Sequence, residues 1–214
     1  MSQSTTQPKK NGAEKKSILP SDPSRRFWVT TACAVGGVTG VATAVPFVGS
    51  FAPSASARAA GAPVEVDLTT IGPGEIRTVE WRGNPIWILH RTEDQLATLS
   101  SQNSKLADPF SNRPGFTPEY AQNEWRSILP EYFVCIAICT HLGCVPTPRL
   151  SSGAQPGLPS DWAGGFFCPC HGSTFDLAGR VYMNKPAPDN LEIPPYSISP
   201  DGTKLIIGVA ENEA

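Results

Sequence analysis

Two short clusters of cysteine and histidine are the residues of this 214-residue chain best suited to chemistry. Their metal-binding side chains are Cys139, His141 and Cys144 at residues 139–144, and Cys168, Cys170 and His171 at residues 168–173. Thiolate sulfur and imidazole nitrogen ligate zinc and iron–sulfur clusters. Each cluster supplies one Cys and one His within two or three positions, so the two loops predict one shared metal site. We take its ligands to be Cys139, His141, Cys168 and His171.

Two alternative interpretations of these cysteines and histidines explain the sequence less well. Cysteine and histidine at short spacing also bind zinc, but a zinc ribbon usually carries a Cys-x-x-Cys pair, which this sequence lacks. A secreted domain held by disulfides alone leaves both histidines unexplained. A mixed set of two thiolates and two imidazoles instead favours a 2Fe-2S cluster, with Cys on one iron and His on the other.

The two motifs are similar to those of the Rieske iron-sulfur protein family. Both occur once and in order, with Gly143, Pro169, Gly172 and Ser173 at the expected places, and the resemblance extends from the basic N-terminus through the C-terminal strands. It implies the four ligands above on one 2Fe-2S cluster. Two leftover thiols brought together by a shared cluster are most simply used as a disulfide, and in this family the residues matching Cys144 and Cys170 pair. The hydroxyl of Ser173 matches one that bonds a bridging sulfide and raises the reduction potential.

The chain departs from the family pattern at two positions. Phe175 stands where many relatives have a tyrosine whose hydroxyl bonds a ligand cysteine sulfur, so we expect a lower potential here unless Tyr182 compensates. The segment at residues 185–188 resembles the proline loop that covers the cluster, but Lys185 replaces a common glycine and adds a charge or changes the packing. Leu142 matches the residue that shields the cluster tip; its alternative role is packing.

The N-terminal region predicts a basic tail and a membrane anchor. Residues 1–26 contain six Lys and Arg against two Asp and Glu, and residues 27–51 contain no charge. At ~1.5 Å per residue, a helix over this run crosses a hydrocarbon core of ~30 Å. The basic flank keeps the N-terminus in the cytoplasm and puts the cluster domain on the periplasmic side of the inner membrane. Cys33 lies in the span, and we expect it to face lipid or pack between helices.

The same region resembles an export signal. Arg25 and Arg26 before the apolar run are similar to a twin-arginine motif, although paired arginines are also ordinary topology signals. A cluster inserted in the cytoplasm requires export of a folded domain, which the twin-arginine route provides. The small residues at 54–57 could be cut by a signal peptidase, but we expect the anchor to be retained. Residues 52–63 are rich in small residues and predict a flexible hinge, or else a plain spacer.

Residues 64–214 predict a mainly β domain, antiparallel, with the cluster held at one tip. Short extended patterns recur along this part of the chain, including an apolar run that leads into the first cluster loop. The predicted strands are residues 64–68, 77–81, 86–90, 133–138, 173–176 and 180–183, with a final pair within 197–207. The second and third of these are predicted to form a hairpin whose turn is residues 82–85.

The rest of the domain predicts little regular structure. Thr92 and Gln95 predict a capping box that opens a short helix to about Ser100. Residues 108–130 and 146–165 are rich in Pro, Gly and Ser, and we expect them to be irregular apart from a short helix within 118–127. Cys135 lies in an apolar strand, where core packing is its expected role.

The ligand chemistry indicates coupled electron and proton transfer. Imidazoles on one iron raise the reduction potential to ~−150 to +300 mV, within reach of a quinol. The remote nitrogen of a coordinated imidazole can exchange a proton, and electron uptake raises its proton affinity. By resemblance to the Rieske subunit of cytochrome bc complexes, His141 or His171 takes the proton of ubiquinol as the electron enters. The electron then passes to a c-type cytochrome and the proton is released outside.

The resemblance implies the electron-transfer subunit of a quinol-cytochrome c oxidoreductase that contributes to a proton gradient. Its expected partners are a cytochrome b subunit, a membrane-anchored c-type cytochrome, ubiquinol and the lipid membrane. The alternative function belongs to a different class of protein, the small Rieske electron-transfer subunit of an exported molybdenum oxidase. The anchor, the basic tail and the hinge argue against it. Ferredoxins and oxygenase components usually lack the extra cysteine pair and are cytosolic. The formal net charge of −2 gives no basic surface for nucleic acid.

Overall fold

The computed structural model describes residues 22–54, 57 and 61–211. The chain divides into two compact units, Met1–Ser54 and Ala55–Ala214. The basic tail through residue 21 lies outside the described residues, as do residues 55–56 and 58–60 of the predicted hinge.

The first unit contains helix α1 (Pro23–Gly49), which is long and apolar enough to cross a membrane. It begins before the uncharged run because Asp22 caps it, accepting a hydrogen bond of 2.9 Å from the backbone N–H of Ser24. Pro23 suits the first helical position, where its missing N–H costs nothing. The arginine pair therefore lies in the first turn of the helix, and at ~1.5 Å per residue the helix is ~40 Å long.

The second unit is built from antiparallel strands, which confirms the predicted fold class. Three sheets occur among the described residues, with strand orders β1-β9-β8, β2-β3-β4 and β5-β6-β7. The strands are β1 (Val64–Asp67), β2 (Ile76–Trp81), β3 (Asn84–His90), β4 (Tyr132–Ile136), β5 (Thr147–Arg149), β6 (Gly165–Phe167), β7 (Thr174–Phe175), β8 (Tyr196–Ile198) and β9 (Lys204–Ile207).

The predicted hairpin is present, with a tighter turn than expected. Arg82 and Gly83 connect β2 to β3 with φ values of 52° and 75°. Two consecutive positive φ angles match the twist of a two-residue hairpin. Asn84 and Pro85, which we expected in the turn, instead pair with Trp81 and Glu80.

One predicted helix is present and the other is not. Helix α2 (Glu93–Thr98) opens with the predicted capping box: the Gln95 N–H donates to Thr92 Oγ1 at 3.2 Å, and the Thr92 N–H donates to Gln95 Oε1 at 3.0 Å. A 3-10 helix (Ser100–Lys105) follows it. The prediction of a short helix within 118–127 was wrong, since only a single 3-10 turn forms there (Glu119–Ala121).

The third sheet was not anticipated, although it carries the cluster loops. We expected residues 146–165 to be irregular, but β5 lies near one end of that range and β6 begins at the other. Their sequences include Pro148 and Gly165, residue types that are depleted in strands. Gly165 is required, because a Cβ there would lie 2.0 Å from the carbonyl oxygen of Phe175. The strand expected at 180–183 is reduced to single bridges at Val181 and Tyr182.

Aromatic packing attaches the third sheet to the second. Trp87 of β3 stacks on Phe166 of β6, with ring centroids 5.1 Å apart and an interplanar angle of 23°. Phe133 of β4 lies 6.1 Å from the same Phe166 ring. Large aromatic contacts of this kind contribute strongly to core stability. The sheet that holds the cluster loops is therefore fixed to a rigid neighbour.

Three buried arginines hold the turn that follows β7, at residues 176–180. Arg180 and Asp176 form an ion pair of 2.6 Å whose side chains are 0% and 2% exposed. Arg126 Nη1 donates to the carbonyl oxygen of Ala178 at 2.9 Å, and Arg91 Nη1 donates to that of Leu177 at 3.3 Å. The backbone leaving the second cluster loop is therefore bound along most of its turn.

Only one of these arginines has a buried carboxylate as its direct partner. Burial lowers the pKa of Arg91 to about 9 and that of Arg126 to about 10, so both remain charged at neutral pH. Backbone carbonyl groups compensate for most of the lost hydration. The network had no sequence signal, because its arginines lie outside any periodic apolar pattern.

Candidate metal centre

The two predicted cluster loops lie in matching places in the fold. The first loop (residues 139–144) leads from β4 towards β5, and the second loop (residues 168–173) joins β6 to β7. In each loop, the N–H of the first cysteine donates to a carbonyl five residues later, and its carbonyl accepts from an N–H four residues later. These bonds are Cys139 N to Cys144 O (2.8 Å), Gly143 N to Cys139 O (3.0 Å), Cys168 N to Ser173 O (2.8 Å) and Gly172 N to Cys168 O (3.0 Å).

A glycine makes each loop possible. Gly143 and Gly172 have φ values of 81° and 79°. This left-handed conformation is strained for residues with a Cβ. The repeated hydrogen bonds and the repeated glycine mean that the two loops present their first cysteine and their histidine in equivalent ways.

The first cysteine of each loop is buried and carries a free thiol. Cys139 and Cys168 are each 2% exposed. Burial raises the pKa of Cys139, the neighbouring Cys168 thiol raises it further, and the Ser173 hydroxyl opposes the rise. Two sulfur donors therefore meet beneath the loops, with a hydroxyl donor beside them.

The two histidines lie side by side towards solvent. The ring centroids of His141 and His171 are 4.8 Å apart and the rings are nearly perpendicular. His171 is exposed and His141 is partly buried. The loops thus bring together two buried thiols and two accessible imidazoles.

The predicted disulfide between the loops is confirmed. Cys144 and Cys170 are bonded, with Cα atoms 6.7 Å apart. The sulfur atoms of Cys144, Cys168 and Cys170 lie within 4.8 Å of one another, but the disulfide leaves only Cys168 able to act as a thiolate ligand. The remaining donors, two thiols and two imidazoles, fit a 2Fe-2S cluster of the mixed-ligand type. The same donor types also satisfy tetrahedral zinc, so donor chemistry alone does not separate the two.

A third segment, the cover segment at residues 185–189, touches both loops. The backbone N–H of Ala187 donates to Ser173 Oγ at 3.0 Å. The hydroxyl of Thr140 donates to the carbonyl oxygen of Asp189 at 2.6 Å. Both hydroxyl partners belong to the cluster loops, so the cover segment ties one loop to the other.

The cover segment is itself held from the loop that precedes β4. Arg113 Nη1 donates to the Asp189 carboxylate at 2.9 Å and also to the carbonyl oxygen of Pro188. Asp108 orients this arginine by accepting the backbone N–H of Arg113 at 3.1 Å. Sequence reasoning missed these residues; the only signal was charge within a segment rich in Pro, Gly and Ser.

The outer surface of the first loop is apolar. Leu142 is 72% exposed and Val145 is 51% exposed. Exposure on this scale excludes the packing role that was the alternative for Leu142. A large exposed apolar side chain between polar ligands is typical of a surface that a partner covers.

The remaining singled-out residues have structural partners. Phe175 is fully buried, and the hydroxyl of Tyr182 bonds Gln102 Oε1 at 3.3 Å, which places it with a partner other than a ligand sulfur. Cys135 packs in the core, and burial raises the pKa of its thiol to about 12. Cys33 is exposed on α1.

Comparison with known proteins adds a family to this geometry. Residues 122–196, which contain both loops and the cover segment, match the model of the Rieske [2Fe-2S] domain. The ubiquinol-cytochrome c reductase iron-sulfur subunit of Allochromatium vinosum is 54% identical over 85% of this chain and 87% of that protein. Its counterpart from Blastochloris viridis is 40% identical over 88% of this chain and 94% of that protein. A solved chain from a hyperthermophilic respiratory Complex III aligns with a TM-score of 0.44 and 24% identity, over 83% of this chain and 98% of that chain.

Proposed function

Since this chain belongs to the Rieske iron-sulfur subunits of ubiquinol-cytochrome c reductases, we propose that it carries electrons from ubiquinol to a membrane-bound c-type cytochrome. Membership makes it an electron-transfer subunit of an oxidoreductase with a 2Fe-2S domain, and it rules out the zinc alternative. The relatives also favour the respiratory complex over the molybdenum oxidase. The observation that carries the proposal is the pairing of buried thiols with solvent-facing imidazoles.

We assign the ligands as Cys139 and Cys168, which would hold one iron, and His141 and His171, which would hold the other. The burial of the two thiols and the exposure of the imidazoles support this assignment. When bound, a cluster with this ligand set accepts one electron at a potential of ~−150 to +300 mV. Ser173, buried in the second cluster loop, would stabilise the negative charge that arrives, because its hydroxyl can donate a hydrogen bond to sulfur.

The two histidines take the proton. The ring nitrogen of each histidine that does not bind the metal can accept a hydrogen bond from a quinol hydroxyl and then the proton itself. His171 is the better placed of the two because it is the more exposed. Leu142 and Val145 surround this point with apolar surface, which suits the displacement of water by a cytochrome b subunit and by ubiquinol.

The domain order supports movement between two partners. The proposed units are a basic cytoplasmic tail at 1–26, an anchor at 27–51, a hinge at 52–63 and a periplasmic cluster domain at 64–214, delivered by the twin-arginine route. Helix α1 supports the anchor, since it has the length and composition to span lipid. The hinge would let the domain meet the quinol site and the c-type cytochrome in turn.

A matched pair of cysteine variants tests the ligand assignment. Cys139→Ser should abolish the Rieske paramagnetic signal, because a serine hydroxyl does not replace the thiolate. Cys135→Ala, four positions earlier in the same buried stretch, should retain the signal, because that thiol only packs in the core. Retention of the signal in Cys139→Ser would contradict the assignment.

Isolation of the intact complex tests the function as a whole. Membranes are extracted with mild detergent, the protein is captured by an affinity tag, and difference spectra for b- and c-type haem are recorded with quinol-cytochrome c reductase activity. Both haems with quinol-dependent activity are expected. A Rieske signal without either haem would instead indicate the oxidase partner.

The hinge has its own test. Replacing residues 55–60 with a proline run stiffens the linker, since proline-rich chains adopt an extended helix. Turnover should fall while the paramagnetic signal is unchanged. Undiminished turnover would exclude domain movement through this segment.

A further inference from the structure

A cleft of about 280 Å³ lies beside the cover segment. Its lining includes Lys185, the first residue of the cover segment, and Thr174, which directly follows the second cluster loop. Lys105 and Asp161 form part of the opposite rim. The cleft therefore brings two ammonium groups and one carboxylate close to the loop that carries His171.

The two lysines differ in what they contact. Lys105 Nζ lies 2.7 Å from Asp161 Oδ2, so its charge is largely balanced. Lys185 makes no ion pair or side-chain hydrogen bond within the described part of the chain. It is partly buried, which keeps the stem of its side chain against the protein. One uncompensated positive charge thus remains at this rim.

The backbone fixes that charge near the ligand sulfurs. Lys185 precedes Ala187 by two residues, and the Ala187 N–H bonds Ser173 Oγ at 3.0 Å. Ser173 belongs to the second cluster loop, where its carbonyl oxygen accepts the N–H of Cys168 at 2.8 Å. At ~3.8 Å between consecutive Cα atoms, the Lys185 and Ala187 backbones lie within ~8 Å of each other, and we take roughly 10–15 Å as the distance from the Lys185 ammonium to the reduced cluster.

We propose that Lys185 raises the reduction potential of this protein, because its uncompensated charge stabilises the one-electron-reduced cluster relative to the oxidised one. Reduction adds one negative charge beside Ser173, and a cation at this distance attracts it. The effect acts on the equilibrium between redox states and needs no contact with substrate. It rests on the proposed function, since it requires a redox cluster held by the two loops.

The size of the effect follows from Coulomb's law. At roughly 10–15 Å and an effective dielectric constant of about 20–80, loss of one charge should lower the equilibrium constant for reduction by a factor between about 1.6 and about 17. The Debye length is ~10 Å at 0.1 M salt and ~30 Å at 0.01 M. The difference between variant and wild type should therefore grow as salt is removed.

The test is a redox titration of the paramagnetic signal in the detergent-extracted complex, comparing Lys185→Arg, Lys185→Gln and Lys185→Glu. The arginine variant should titrate with wild type. The glutamine variant should be harder to reduce by the factor above, and the glutamate variant by about the square of that factor. Lys204→Gln removes the same charge from β9, where the lysine pairs with Glu65 at 3.4 Å, and should shift the titration less.

Every outcome of this titration either supports or overturns the role proposed for Lys185. A graded shift that follows charge and increases at low salt supports the proposal. Glutamine and glutamate variants that titrate with wild type overturn it, and so does an arginine variant that shifts as far as glutamine, because the cause would then be packing. A wild-type complex with no Rieske signal would overturn the proposed function itself, whereas an intact signal with no charge dependence would overturn only the role of Lys185.

Discussion

Replacing Ser173 with alanine should lower the reduction potential of the cluster and weaken the cover segment at the same time. Ser173 is fully buried. Its hydroxyl accepts the Ala187 N–H at 3.0 Å and, in the proposed site, would donate to the sulfur of Cys139. Alanine removes both interactions without adding volume.

The two losses have separate magnitudes. A hydrogen bond to a charged group contributes about 1.5–3 kcal/mol, and it stabilises the reduced cluster more than the oxidised one because the reduced cluster carries one more negative charge. For a one-electron couple, 59 mV corresponds to a tenfold change in equilibrium constant, so we expect a decrease of roughly 65–130 mV. The buried N–H of Ala187 loses its partner, which should cost about 1–3 kcal/mol of the free energy of unfolding.

A redox titration followed by the paramagnetic signal measures the first loss, and thermal unfolding of the complex measures the second. The control is Ser197→Ala in β8, because Ser197 is equally buried but its hydroxyl has no partner among the described residues. It should leave the midpoint unchanged. A Ser173→Ala midpoint within about 20 mV of wild type, against the 65–130 mV expected from the hydrogen bond, would refute the reasoning.

Three further changes have defined outcomes. Phe175→Tyr should raise the midpoint by roughly 40 mV by adding a donor to a ligand sulfur, and an unchanged midpoint in a folded variant would remove the explanation of a lower native potential. The double variant Cys144→Ala, Cys170→Ala opens a link between positions 26 residues apart, so it should lose about 3.5 kcal/mol of unfolding free energy and release its cluster faster on heating; equal bleaching rates in absorbance would contradict this. Asp176→Asn leaves Arg180 buried without its carboxylate and should cost about 3–5 kcal/mol in denaturant unfolding, which a wild-type midpoint would exclude.

The parts of the site that obey local rules could be predicted from sequence. Ligand spacing indicated both loops, and the leftover cysteines indicated the disulfide, because these features depend on residue type and short separation. The capping box at Thr92 and the hairpin formed by β2 and β3 follow from similarly local rules. The mainly β class followed from the repeated short extended patterns.

The parts that depend on distant contacts could not be predicted. Strands β5 and β6 each have three residues and contain Pro148 or Gly165, so they form through tertiary packing against Phe175 and Trp87 and leave no propensity signal. Arg113 meets Asp189 across 76 positions, and Arg91 reaches Leu177 across 86. No period or motif marks such pairs in one sequence.

The graded burial of the ligand residues has a consequence for traffic through the subunit. The two thiols are buried and the two imidazoles are accessible to solvent. Electrons would therefore enter and leave the domain through one exposed face, the one that carries the histidines. In the proposed function, quinol and cytochrome would use this exposed histidine face one after the other, because both cannot occupy it together. The exchange of partners at that face would then set an upper limit on turnover, however fast each electron transfer is.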